Sequence, residues 1–143
     1  MADGRYVISR IGEILIITLE GAVTAGALSE ASRELAEMQA RHGAGSAVFE
    51  VSGCEVIDLD DFMELQKLVR TMEWLGLHCV IAGLRPGVVA YLASAGISAG
   101  SLRISLDLEL ALLELNPNRD EPDEAEPRAD AEPEYEPDDA RPL

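Results

Sequence analysis

Few side chains in this chain can do chemistry. Cys54 and Cys79 are its only cysteines, and His42 and His78 its only histidines. His78 and Cys79 are adjacent in a strand-like run, and neighbours on a strand point to opposite faces. They therefore do not form a nucleophile–base pair, and both are expected to be packing residues. Cys54 falls in a loop where its thiol could be exposed, with no base placed to activate it. His42 is expected at a solvated helix end. The one dense group is acidic: Glu55, Asp58, Asp60 and Asp61 within FEVSGCEVIDLDDF, residues 49–62. Such carboxylates could hold Mg²⁺ or Ca²⁺, but the set spacing and central glycine of a calcium loop are missing. The alternative is local. Asp58 is a good N-cap, and acids in a first helical turn complement the helix dipole. We expect no metal and no cofactor. Walker, GxGxxG, GxSxG and HExxH motifs are all absent, so no catalytic constellation is expected.

These residues need a scaffold, and the pattern supplies one. Tyr6–Ile11 and Glu13–Leu19, split by Gly12, read as paired strands. EILIITL is nearly all apolar, as in a strand covered on both faces. Thr24–Arg41 reads as a helix with Leu28, Ala31, Leu35 and Met38 on one stripe, stopped by His42-Gly43 and Gly45. Ala47–Ser52 is a short strand, Leu59–Leu75 a helix and Leu77–Ala82 a buried strand. Pro86, suited to a first helical position, starts a third helix that ends near Ala95. The stretch 102–115 mixes alternation with helix formers; we expect a short strand at Leu102–Ile104 and a helix from about Asp107. The order is β-β-α-β-α-β-α-β-α, an α/β class with a mixed sheet of about five strands and about four helices. Functional loops of such sheets lie at strand C-terminal ends, which singles out residues 52–61.

The second helix carries two stripes. At about 100° per residue, Phe62, Leu65, Leu68, Val69, Met72 and Leu75 form a core face. Leu59, Met63 and Trp74 fall roughly opposite, with Gln66 and Arg70. Apolar and aromatic groups not needed by the core, flanked by an arginine, suit a protein interface; the other reading is that a neighbouring helix or loop covers them.

Charge and composition narrow the class further. The chain of 143 residues has net charge −16 and pI about 4.3, with 48% hydrophobic residues and mean hydropathy +0.06. That is enough apolar material for one core. So acidic a surface repels nucleic acid and anionic lipid. The opening residues contain no apolar signal-like run, no stretch reaches the length of a bilayer span, and two cysteines fit a reducing compartment; a cytoplasmic protein is expected. From Asn116 the character changes: residues 116–143 hold six of the seven prolines and eleven Asp/Glu against three Arg. With Tyr135 and Leu143 as its only bulky apolar groups, this acidic, proline-rich tail is expected to be disordered, either a solubilising tail or a docking segment for a basic partner. Residues 1–115 form the domain.

The arrangement of a strand, a short loop and Val56-Ile57-Asp58 opening a helix resembles the STAS domain family (sulphate transporter and anti-sigma factor antagonist). LHCVIAGLRPGVVAYLASAGI, residues 77–97, is similar to the G-[IL]-[RQ]-P-x-V-A segment and following L-x-x-x-G-I of stressosome members. SLDLELALLEL, residues 105–115, resembles their C-terminal helix. The likeness covers about residues 5–115 and is greatest to RsbS-type stressosome scaffolds. It implies non-enzymatic partner switching: a GHKL-type kinase phosphorylates a Ser or Thr directly after the aspartate and thereby ends a complex, and a phosphatase restores it. Here the residue after Asp58 is Leu59. In simple anti-sigma antagonists the acceptor lies one place later, and here that place is Asp60. The phosphoacceptor is thus replaced in either register, which fits an unswitched scaffold or a permanent mimic of the phosphorylated state through Asp60 and Asp61.

The expected function is accordingly that of an interaction protein. It would assemble as a homo- or hetero-oligomer with paralogous STAS proteins (RsbR-like) and capture a GHKL-type serine/threonine kinase (RsbT-like). The contact residues expected are Asp58, Leu59, Asp60, Asp61, Met63, Gln66, Arg70 and Trp74. The alternatives are a stand-alone anti-anti-sigma-type partner and a small-molecule or nucleotide-binding STAS module.

Overall fold

A computed structural model describes residues 4–97 and 102–115. Five strands, β1 (Arg5–Ile11), β2 (Ile14–Glu20), β3 (Ser46–Gly53), β4 (His78–Ala82) and β5 (Ile104–Ser105), form one sheet in the order β1-β2-β3-β4-β5. β1 and β2 pair antiparallel and the remaining pairs are parallel. Four helices connect or follow them: α1 (Ala25–His42), α2 (Leu59–Trp74), α3 (Pro86–Ser94) and α4 (Leu108–Leu115). The class and element order are those expected from the sequence.

Alternation along the strands splits the apolar residues between two layers. Leu15, Ile17 and Leu19 of β2, Ala47, Phe49 and Val51 of β3, and Cys79 and Ile81 of β4 face one side, where α1, α2 and α3 cover them. Ile14, Ile16, Val48, Val80 and Ala82 face the other, where Ala111, Leu108, Leu112 and Leu115 of α4 pack. EILIITL is nearly all apolar because both faces of β2 are covered.

The ends of α1 follow local chemistry. The Thr24 hydroxyl accepts the Ala27 N–H at 3.2 Å. At the other end Gly43 takes a left-handed φ of 62° and donates its N–H to the Gln39 carbonyl, the conformation in which glycine carries no Cβ penalty. β1 is tied to α1 by the Tyr6 hydroxyl, which donates to Glu34 at 2.9 Å.

Three expectations need correction. β5 lies at Ile104–Ser105, not Leu102–Ile104; Leu102 is buried in the core ahead of it. Leu75, expected on the core face of α2, is 44% exposed, because it sits at the C-cap where the helix is already leaving the sheet. His78 is exposed rather than packed: it shares the α4 face with Val80 and Ala82 by strand alternation but stands at the first residue of β4, at the edge of that cover. The expected tail, residues 116–143, lies outside the described residues.

One contact sets how closely β3 and β4 end. Gly83, at φ +86°, follows β4, and a Cβ there would stand 2.6 Å from Glu50 Oε2, 3.0 Å from Ser52 Cβ and 3.1 Å from Ser52 N. Both the backbone conformation and the space exclude a side chain. Gly83→Ala should lower the unfolding free energy by about 1–3 kcal/mol, measured by urea denaturation, whereas Gly87→Ala, which has open space, should change it little.

Candidate protein-interaction site

The candidate site is the loop from the end of β3 into α2, together with the outer stripe of α2. Buried residues hold the loop at both ends. Cys54 is 1% exposed and its thiol donates to the Leu19 carbonyl at 3.5 Å, while its N–H bonds the Val51 carbonyl at 2.9 Å. Ile57 is 2% exposed. Between them Glu55 and Val56 point outwards, Val56 with 75% of its surface exposed. From the neighbouring strand end, Arg85 reaches across and donates Nε and Nη2 to the Ser52 carbonyl at 3.1 and 2.9 Å.

Asp58 caps α2 as expected: Oδ1 accepts the Asp61 N–H at 2.9 Å. Asp60 and Asp61 occupy the first turn. Burial, and after it the charge and hydrogen bonding of Asp58, push the Asp61 carboxyl above its ordinary value, with Asp60 and Glu64 adding to the shift. A carboxyl whose folded pKa is raised carries a cost while both folded and unfolded chains are ionised. That cost is relieved as pH falls through the folded value. The crowding of acids here is therefore not a stabilising device. Among the described residues no three His, Cys, Asp or Glu side chains gather closely enough to hold a metal ion.

The stripe is one line along α2, about 22 Å from Leu59 to Trp74 at the helical rise of about 1.5 Å per residue. Trp74 is 89% exposed and Met63 45%. Arg70 is exposed, while Leu59 and Gln66 are half-buried. No neighbouring element within the described residues covers Trp74 or Met63. The opposite face, with Phe62, Leu65, Leu68, Val69 and Met72 buried, supplies all that α2 gives to the core.

Cys54 contradicts the expectation of an exposed loop thiol. Desolvation, with Glu50 and Glu20 nearby, raises it to about 11, and desolvation raises Cys79 to about 12. Neither is a nucleophile at neutral pH.

Sequence reasoning missed the opposite wall of the loop. Val56, Ile57 and Asp58 face Arg85, Val88 and Tyr91 across an open groove of about 580 Å³, which Glu55 and Gly87 also line. Tyr91 is 47% exposed. The helical period of α3 gave a signal: Val88 and Leu92 point inwards at i and i+4, which leaves Tyr91 on the flank. A separate concavity of about 660 Å³ between β1 and the start of α1 is lined by Arg5, Glu20 and Glu30 among others, with no cysteine or histidine in its lining.

The geometry has close counterparts among solved structures. The chain superposes on RsbS of Moorella thermoacetica with TM-score 0.67 and 23% identity over 79% of this chain and 96% of that one. It superposes on a chain from the stressosome, described as a signal integration and transduction hub, with TM-score 0.66 and 24% identity over 79% and 99%. The anti-sigma factor antagonist SpoIIAA in its unphosphorylated form follows with TM-score 0.62 and 11% identity over 79% and 97%. At these identities the likeness establishes the fold, and the fold is STAS. The sequence matches no protein-family model and no curated protein.

Three outcomes follow from this geometry. Near neutral pH a thiol reagent should leave native Cys54 and Cys79 unmodified and label both once the chain is unfolded. As pH rises from 9.0 towards about 11 and about 12, the unfolded chain loses thiol protons first, so stability should fall; a flat denaturation midpoint across that window contradicts it. Asp58→Ala should cost about 1 kcal/mol by loss of the cap in chemical denaturation, and Asp58→Ser should restore most of it.

Proposed function

We propose that this chain is a non-enzymatic, cytoplasmic STAS-fold regulator that serves as a stressosome-type scaffold. It binds paralogous STAS proteins (RsbR-like) and a GHKL-type serine/threonine kinase (RsbT-like). The loop and outer stripe of α2, from Asp58, Leu59, Asp60 and Asp61 through Met63, Gln66 and Arg70 to Trp74, form the partner surface. The observation that carries this reading is Trp74. A tryptophan with 89% of its surface exposed, in line with Met63 on a helix whose core face is already complete, has no role in folding. Large aromatic groups of this kind anchor protein interfaces.

The chemistry of the loop makes the complex constitutive. At the two positions where a phosphoacceptor is expected stand Leu59, with no hydroxyl, and Asp60, with a permanent charge. A phosphate would add roughly −1.5 to −2 charge at neutral pH. Without an acceptor, the release step passes to partner subunits that carry their own acceptors. The rival reading, in which Asp60 and Asp61 imitate the phosphorylated state and hold kinase affinity low, differs in one measurable respect: it requires Asp60→Ser to tighten kinase binding.

Leu59→Arg and Trp74→Ala should each weaken capture of the kinase at least tenfold in a pull-down, with an unchanged denaturation midpoint; intact capture by folded variants sinks this surface. Light scattering on the purified protein should give a mass many times 15.4 kDa, and a monomer or dimer would favour a stand-alone antagonist or a subunit that needs a paralogue. After incubation with the kinase, mass spectrometry should find no phosphate on residues 52–61, Ser52 included.

A further inference from the structure

The groove between the β3–α2 loop and α3 has a character of its own. Its floor is made of Ile57 and Val88, which are buried and belong to the main core. Its walls are Val56 and Tyr91, 75% and 47% exposed. Both walls stand on elements that are pinned from beneath, the loop by Ile57 and α3 by Val88 and Leu92. The apolar surface is therefore held open rather than left over from a mobile segment.

The charges around it are mostly negative. Glu55 and Asp58 line the groove, and Asp60 and Asp61 follow in the first turn of α2. The only cation among the lining residues, Arg85, directs Nε and Nη2 to the Ser52 carbonyl. A helix N-terminus alone attracts anions, but here Asp58 already accepts the Asp61 N–H and two further carboxylates offset the dipole. The mouth of the groove repels phosphate and acidic groups and attracts Lys or Arg. Its volume, about 580 Å³, exceeds one apolar side chain and suits a short segment.

We propose that this groove receives a bulky apolar side chain carried on a Lys- or Arg-bearing segment of a partner protein. It thus forms a second contact beside the α2 stripe, and it does not bind nucleotide. The inference rests on the reading of this end of the molecule as a partner surface, and it names the chemistry of what docks there.

The test uses the full ¹⁵N-labelled chain and a synthetic hexapeptide with a central Leu-Trp flanked by lysines. Amide shifts should concentrate at residues 55–58 and 85–91. The same peptide with glutamates in place of lysines, and Mg-ATP, should leave those amides unmoved. Val56→Ser and Tyr91→Ser, both at exposed positions and so expected to fold, should each raise the peptide Kd on the order of fivefold, and Trp74→Ala should leave it unchanged. Shifts scattered over the acidic surface, equal binding of the glutamate peptide or ATP at the groove, or unaltered affinity in both serine variants would overturn the proposal. The two readings fail separately: loss of the stripe is read by kinase capture with Trp74→Ala, and loss of the groove by peptide affinity with Tyr91→Ser.

Discussion

The structure depends on the burial of β3 from both sides. Its Ala47, Phe49 and Val51 face the three-helix layer and its Val48 faces α4, with β2 and β4 paired parallel on either edge. A strand covered in this way has one register in which its apolar residues avoid water, because a slip of one residue turns every side chain to the other face. Where β3 ends is therefore set by the core, and the loop that leaves it begins from a defined place.

What happens past that end is decided by close backbone contact. Gly83 allows β4 to finish against Ser52, and Arg85 then holds the Ser52 carbonyl from the same side. Cys54 and Ile57 anchor the loop into the core, and Asp58 turns the chain into α2. The acidic cluster that invites a metal-binding interpretation is explained by this turn. One carboxylate caps the helix and the others sit in its first turn, where burial, and after it the neighbouring acids, raise the proton affinity of Asp61.

This architecture separates folding from contact. α2 gives one face to the core and leaves the other, with Met63 and Trp74, to solvent. α3 does the same on a smaller scale, with Val88 and Leu92 inward and Tyr91 at the groove. The exposed residues can therefore change with little effect on the fold.

The sequence by itself determined the elements and their order, because each signal was local. Period-2 and period-3.6 patterns, the Asp58 cap, Gly43 as a helix stop and Pro86 as a helix start act within a few residues of where they stand. It also determined the two stripes of α2, since helix geometry assigns faces without reference to neighbours. Only the tertiary structure decided the rest. Cys54 sits in a polar stretch, and its burial follows from the Leu19 carbonyl and the core 35 residues away. Leu75 and His78 have apolar or strand-like surroundings in the chain but lie where the covering layer ends. The groove joins residues 55–58 to 85–91 through the parallel pairing of β3 and β4, a contact between distant segments that no local pattern encodes.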